Sequence, residues 1–487
     1  MKRFLAFIAL TAIITNLCGC NSAKENGKKD AEGSNEQVLT WYIPGDKQSD
    51  LPAVMEKANE VLMKKAGVKI DMQLLDSGAY TERMNMNMAS GSNFDLCFTG
   101  FVNPYRQAAE KGGLYKLDEL LVTMPELKNA IPDYAWEGAK INGGIYAVPN
   151  LQILALSGAL CIQKSYLDKY NYDVSNVKKI EDIEPFLEII KKNEPDFYPF
   201  NSSWGVSSFD MFNGKDGNPK GYTFLSNCVA ILNPDGSYTV KPKFEIPVYK
   251  ESVEKLHDWY KKGYIRKDIA SVMDDSAESA AGKYMTWIAT YKPGMEASSF
   301  ANSGREIVAI NVSTPTLGRA TTAMTAVGKN SVNPQKALEV IQLANTDKEF
   351  YNILCFGVEG KHYNKTGENS VEYIENSGYK VNADWKFGNQ FNAFTLPGQD
   401  PDVWEKTREL NDTAEVSPFL SLEINTDSIK TIVSQVNNVV STYDTINNGS
   451  EDPATYWDTF CKKMTDAGIY KICETVQEQI DEFMKNK

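Results

Sequence analysis

Four tryptophans, two other aromatics and three carboxylates stand where a side chain could meet a ligand rather than fill a core. Trp41 and Tyr42 lie at the end of the run Val38–Ile43, and Asp46 follows in Tyr42-Ile43-Pro44-Gly45-Asp46. Asp95 precedes and Phe101 follows the apolar stretch around Phe98. Trp204 sits in Asn201-Ser202-Ser203-Trp204-Gly205, Trp287 in Tyr284-Met285-Thr286-Trp287, and Trp385 shortly before Gly388-Asn389-Gln390. Glu359 lies in Gly357-Val358-Glu359-Gly360-Lys361-His362-Tyr363. A flat ring offers its face to apolar C–H groups, while carboxylates and amides take up hydroxyls. Together these residue types suit a ligand, such as a sugar, with C–H faces ringed by hydroxyls. Tyr105, Trp136 and Tyr291 are further aromatics of this kind. Each aromatic taken singly is equally compatible with a core position.

Bond-making chemistry has weaker support. Glu359 and His362 could act as acid and base, and glycosidases do pair carboxylates. Nothing fixes a second carboxylate at a defined distance, and among 64 acidic residues chance pairs are plentiful. No catalytic residue is therefore assigned. Asn213-Gly214-Lys215-Asp216-Gly217-Asn218 has the look of a calcium loop but lacks the terminal Glu, so it reads as a solvated turn. His257 and His362 are the 2 histidines of the chain, too few for a histidine-built zinc site. No metal and no cofactor is expected. GxxxxGK[ST], GxSxG and HExxH are all absent, so any ATP hydrolysis belongs to a separate partner.

The N-terminus bounds the compartment. Met1-Lys2-Arg3 is basic, Phe4–Leu17 is apolar, and Leu17-Cys18-Gly19-Cys20 ends in small residues and a cysteine. The apolar part is too short for a bilayer span of about 20 residues and reads as a secretory signal. Leu17–Cys20 resembles a bacterial lipobox, which implies a signal peptide over 1–19 and a lipid on Cys20; an ordinary signal cut nearby is the alternative. Residues 20–37 are rich in Lys, Glu, Gly, Asn and Ser and read as a lipidated Cys and a flexible tether. The expected location is extracytoplasmic, anchored to the outer face of the cell membrane. A net charge of -13 argues against a nucleic-acid partner. Beyond Cys18 and Cys20, Cys97, Cys161, Cys228, Cys355, Cys461 and Cys473 form no CxxC; their pairing is open, and the apolar settings of Cys97 and Cys355 read as core positions.

Apolar periodicity supplies the elements that must position these residues. Strands are expected at Val38–Ile43, Val68–Leu74, Phe94–Phe98 and Ile307–Val312, and a hairpin at Leu232–Val240. Helices are expected at Leu51–Lys65, Tyr80–Ala89, Ile180–Lys192, Val248–Lys262 and Gln335–Asn345, with a largely helical C-terminal third. This alternation predicts a mainly parallel sheet with helices on both faces, and ligands beyond the carboxyl ends of its strands. About 450 folded residues exceed what one core sustains, so two or more lobes are expected. Asn142–Pro149, a turn into a strand, is a candidate hinge or crossover.

Several phrases, in order, resemble the extracellular solute-binding proteins of ABC importers. They are Met88–Phe98 (MASGSNFDLCF), Gly113–Leu120 (GLYKLDEL), Gly138–Pro149 (GAKINGGIYAVP) and Ser165–Tyr170. Residues 332–363 and 385–403, Gly468-Ile469 and the last helix are similar to a narrower lipoprotein group, LplA-like, that carries the C-terminal domain of unknown function DUF3502. Gly144 departs from the pattern, where the family often has Lys.

The resemblance implies an α/β, two-lobed periplasmic-binding-protein-like fold of type II with a largely helical C-terminal elaboration. By analogy, 38–148 with 309–350 form lobe 1, and 149–308 with 351–487 form lobe 2. It implies hinge closure on a small-molecule solute, with an oligosaccharide favoured, and delivery to the transmembrane subunits of an ABC permease. It also implies a Gram-positive setting, a monomer, and no enzymatic activity. Trp287 is similar to a family position where an aromatic stacks on ligand. The competing readings are a peptide or other small-solute receptor, a surface glycoside hydrolase and a surface adhesin.

Overall fold

Alternation sets the first strand: Leu39, Trp41 and Ile43 point to one side of Val38–Pro44 and are fully buried. The computed structural model describes residues 37–487 apart from 216, 273, 319 and 382. The signal peptide, Cys20 and the tether up to residue 36 lie outside the described residues. Val38–Pro44 pairs in parallel with Lys69–Leu75 and with Leu96–Gly100. Between the first two runs the helix Leu51–Lys65, with Pro52 in its first turn, buries Val54, Met55, Ala58, Val61 and Leu62. Asp76 caps the helix Ser77–Ser90 by accepting the Gly78 and Ala79 amides, and Gly91 ends it at φ 66°.

The first sheet has five strands, in the order Lys69–Leu75, Val38–Pro44, Leu96–Gly100, Ala323–Val327, Ala147–Pro149. Ala323–Val327 runs antiparallel to both its neighbours. The second sheet is ordered Ile307–Asn311, Gly158–Gln163, Tyr284–Thr290, Tyr198–Asn201, and only its last pairing is parallel. The expectation of a mainly parallel sheet therefore describes the first three strands of the first sheet, whose other two pairings are antiparallel, and not the second sheet. The reason is local: the second sheet draws its central strands from distant parts of the chain, without a helical crossover between each pair.

Two main hydrophobic cores result. One takes residues between Leu39 and Ala155 and again between Leu317 and Ala414. The other takes residues between Leu160 and Ile288, Val312, and residues from Phe419 to Ile480. Residues 351–414, which the sequence reading groups with the second lobe, place Tyr351, Leu354, Phe356 and Phe387 in the first core. The chain passes from one core to the other three times, and all three passages run through one small sheet. Its strands are Glu415–Val416, Thr316–Leu317 and Ala155–Leu156, in that order. Asn142–Pro149, the candidate hinge, instead forms a tight turn inside the first core and then an edge strand of the first sheet.

The C-terminal helices complete the second core. The helix Ile469–Lys485 lies along the meander Gly221–Phe224, Cys228–Leu232, Tyr238–Pro242. Gln477 finishes the meander's outer edge: its side-chain oxygen accepts the Val240 amide at 2.7 Å and its nitrogen donates to the Tyr238 carbonyl at 3.0 Å. Phe419 sits against Tyr222, Phe224 and Tyr238 with ring centroids 4.7 to 5.3 Å away. No helix among the described residues is long and apolar enough to cross a membrane. Cys97 and Cys355 are buried, and burial pushes both thiols up.

Candidate functional site

The carboxyl end of Leu96–Gly100 is where the first sheet meets solvent with an aromatic surface. Gly100 has φ 143°, and a Cβ there would lie 2.1 Å from the Thr322 carbonyl oxygen, so only glycine lets the two strands approach this closely. The chain then turns sharply: Thr99 Oγ1 and the Gly100 amide both donate to the Asn103 carbonyl. The turn pushes Phe101 outward, 60% exposed. Its ring stands 5.7 Å from Phe98 and 5.6 Å from Trp385.

Trp385 comes from the far end of the first core's chain and is held there by Asn150. The fully buried Asn150 amide donates to the carbonyls of Trp385 and Lys386 at 3.2 and 2.8 Å and accepts Thr325 Oγ1 at 3.0 Å. Asp384 accepts the Trp385 amide and the Gln390 side chain, and burial pushes its carboxyl up. Lys386 donates to the Pro44 carbonyl at 2.7 Å and lies 5.3 Å above the Trp385 ring; burial pushes its ammonium down. The exposed Phe101 and the half-buried Trp385 thus form a two-ring platform at the carboxyl ends of Leu96–Gly100 and Val38–Pro44, where α/β sheets take ligands. Asp46 is exposed beside it and shares a small cavity lining with Lys386.

The second sheet carries another aromatic face. Leu160, Ile162 and Ile288 face the second core, while Trp287, Ala289, Ala159, Cys161, Ile307 and Ala309 line the opposite side with Tyr291 and Met295. Small residues around the half-buried Trp287 leave a shallow apolar floor. The loop that follows reaches the first core: a Cβ on Gly294 would sit 3.3 Å from Asp400 and Val403. The first and third passages between cores are tied by Asn411, which is fully buried. Its side-chain oxygen accepts the Leu154 and Ala155 amides at 2.8 and 3.0 Å, and its nitrogen donates to the Gln152 carbonyl at 2.7 Å.

The structure distributes the remaining candidates as follows. Trp41 fills the first core edge-on to Phe387, 6.3 Å away, because the alternation of Leu39, Trp41 and Ile43 turns it inward. Tyr42 is half-buried against the same core. Asp95 is buried, and its oxygens accept the Thr40 and Val332 amides and Ser331 Oγ, so it locks strand to loop. Trp204 is 40% exposed on the surface of the second core, apart from the platform. Glu359 is exposed and pairs with Lys365 at 3.5 Å. His362 is buried with both ring nitrogens engaged: Nδ1 accepts the Val358 amide, so Nε2 carries the proton and donates to Asp50. That arrangement holds the Gly357–Tyr363 loop in place and leaves His362 no free nitrogen to act as a base.

Asn150 and Asn411 position the site without any sequence signal of their own, since a buried asparagine and a surface one are spelled alike. A polar cavity of about 910 Å³ opens in the second core beside the passage Asn311–Pro315, with Asp182, Asp210, Lys215 and Lys255 on its walls. There Asp210 accepts the Thr314 amide at 3.1 Å, and burial pushes its carboxyl up.

Comparison with known proteins bears on these surfaces. Residues 55–352 match the model of the bacterial extracellular solute-binding protein family, and 418–485 match the domain of unknown function DUF3502. A carbohydrate ABC transporter substrate-binding protein of Streptococcus pneumoniae serotype 4 is 31% identical over 500 residues, covering 100% of this chain and 99% of the relative. The crystal structure of the N-glycan transport solute binding protein NgtS of Streptococcus pneumoniae superposes with TM-score 0.77 at 29% identity, covering 93% of this chain and 100% of NgtS. NgtS in complex with Man5GlcNAc superposes with TM-score 0.60 at 30% identity, covering 93% and 99%. Two sheets with separate cores, an aromatic platform at strand ends and a full-length match to its members agree: the chain belongs to the bacterial extracellular solute-binding protein family.

Proposed function

We propose that this chain is the substrate-binding receptor of an ABC importer and that its cargo is an oligosaccharide. The observation that carries the reading is the Phe101–Trp385 platform, with Phe101 exposed, in a chain that matches a carbohydrate receptor from end to end. Two rings at an angle suit successive sugar units, whose C–H faces turn along a glycan. The two lobes are 38–155 with 317–414, and 158–313 with 419–487. The ligand lies between the platform and the Trp287 face, with Tyr42 and Asp46 at its edge.

Closure turns on the small three-stranded sheet through which all three passages run. Similarity to NgtS falls from TM-score 0.77 to 0.60 for its Man5GlcNAc complex at nearly equal identity, which fits a change of form on ligand binding. Ligand contacts that need both lobes then stabilise the closed form, which the permease recognises. The protein acts as a monomer, makes no change to its cargo and is held at the outer face of the membrane by a lipid on Cys20.

The test is calorimetry and thermal shift of the soluble protein against glycans, monosaccharides and peptides. Ligand at about 100 times its Kd adds roughly 2.7 kcal/mol to the folded state, a shift of a few degrees. A shift with a glycan recovered intact supports the reading. A shift with peptides alone overturns the sugar assignment, and a cleaved glycan overturns the receptor assignment.

A further inference from the structure

Among the described residues one pair of cysteines has its sulfurs in contact: Cys228 Sγ and Cys473 Sγ lie 3.1 Å apart. Cys228 opens the central strand of the meander and Cys473 lies in the helix Ile469–Lys485. Both are buried. The contact does not depend on the sulfurs for its geometry. Gln477, one helical turn on from Cys473, bonds both ways to the neighbouring strand Tyr238–Pro242 and so fixes the helix against the sheet. A thiol is a weak donor and a weak acceptor, so two buried S–H groups face to face gain little from each other. The other cysteines are placed differently: Cys97, Cys161 and Cys355 are each buried elsewhere, and Cys461 is half-buried in the helix Pro453–Asp466.

We propose that Cys228 and Cys473 form a disulfide in the exported protein, stapling the last helix to the second lobe. The proposal rests on an extracytoplasmic location, where disulfides persist. The oxidant is a thiol–disulfide oxidoreductase in its disulfide form. The Cys473 thiolate attacks one sulfur of that disulfide, giving a mixed disulfide and releasing one oxidoreductase thiolate. The Cys228 thiolate then attacks Cys473 Sγ and displaces the second oxidoreductase thiolate. The two cysteines lose two electrons and two protons, and the oxidoreductase ends as the dithiol. The exchange takes place on the folding chain, before the helix docks. In a chain that folds without this step, the contact with Cys228 and burial push the Cys473 thiol far up, so the exchange has to precede docking.

The test takes the full chain exported by a bacterial host, denatured without reductant, alkylated and digested. The expected result is a peptide pair linked through Cys228 and Cys473 that separates on reduction, with Cys97, Cys161, Cys355 and Cys461 alkylated. Recovery of both Cys228 and Cys473 fully alkylated, including after refolding with oxidised glutathione, overturns it. A second readout guards against misassignment. Reductant should lower the Tm of the wild type by a few degrees and leave the Cys228→Ser, Cys473→Ser double variant unmoved; an equal response of both overturns the proposal. Glycan binding is measured on the same reduced and oxidised samples, so failure of the staple and failure of the receptor reading are told apart.

Discussion

The Phe101 and Trp385 rings stand 5.6 Å apart at an interplanar angle of 52°, although they enter the first lobe from opposite ends of its chain. Gly100 throws one ring out and Asn150 holds the backbone of the other, so the angle between them is set by the scaffold and not by the rings themselves.

Truncating either ring should weaken glycan binding without unfolding the protein. Phe101→Ala and Trp385→Ala each remove a stacking face, and a cost of about 1.5–3 kcal/mol, roughly 10- to 100-fold in Kd, is expected. Titration calorimetry reads the loss. Trp204→Ala, on a surface away from the platform, should bind as the wild type does; equal losses at Trp204 and Phe101 would disprove the platform.

Asn411 should matter for stability more than for affinity. Asn411→Ala strips the Leu154 and Ala155 amides of their acceptor in a fully buried place. About 2–4 kcal/mol of unfolding free energy should go, on the scale of one to three kcal/mol for a buried unsatisfied group with more than one affected. Urea denaturation measures it, and a loss under about 1 kcal/mol would mean that water has taken over the bonds.

Glu184 supplies an acid-sensitive ion cluster. Burial opposes its charge, but Lys255 at 2.5 Å and Lys262 at 2.6 Å outweigh that and hold its carboxyl at about 2. A folded-state value below the unfolded one means that the native state binds fewer protons. The stabilisation is therefore complete above pH 4.5, the ordinary value, and is lost as pH falls toward about 2. Glu184→Gln should cost roughly 2 kcal/mol at neutral pH and flatten the acid limb of stability against pH. A variant with the wild-type acid limb would place the titration elsewhere.

Lys243 has the opposite sign. Burial pushes its ammonium down to about 8, so between pH 8 and 10.5 the unfolded chain binds the extra proton and stability climbs with pH. Below that window the buried charge is a standing cost. Lys243→Met should raise stability at pH 7 by ~1–3 kcal/mol, and the gain should vanish above about pH 10.5. A destabilised variant at pH 7 would show that the ammonium has a favourable partner.

Long periodic elements were plain in the chain, and short ones were not. Leu51–Lys65 matches its expected bounds because a proline start, a 3.6-residue apolar stripe and a terminal Ala-Gly all agree. Ala155–Leu156, Thr316–Leu317 and Glu415–Val416 have two residues each, too few to show a period, yet they carry every passage between the lobes. Trp41 shows a signal that was present but outweighed: an aromatic at a strand end suggested a ligand, while the alternation with Leu39 and Ile43 already turned it into the core. Phe101 was legible as an aromatic beyond a strand. Its contact with Trp385 was not, because a pairing across most of the lobe's chain leaves no local pattern.

The segment 418–485 reads as an addition to a familiar fold, yet its apolar face lies in the interior of the second lobe. Phe419, Val436, Trp457, Phe460, Ile472, Val476 and Ile480 are interior residues of the second lobe. A chain without this segment would leave the meander and much of the second core uncovered, so the segment is part of the lobe and not a module set on a finished one. The two parts are better regarded as one heritable unit, and swapping C-terminal segments between distant relatives should yield chimeras that fail to fold rather than receptors with exchanged cargo.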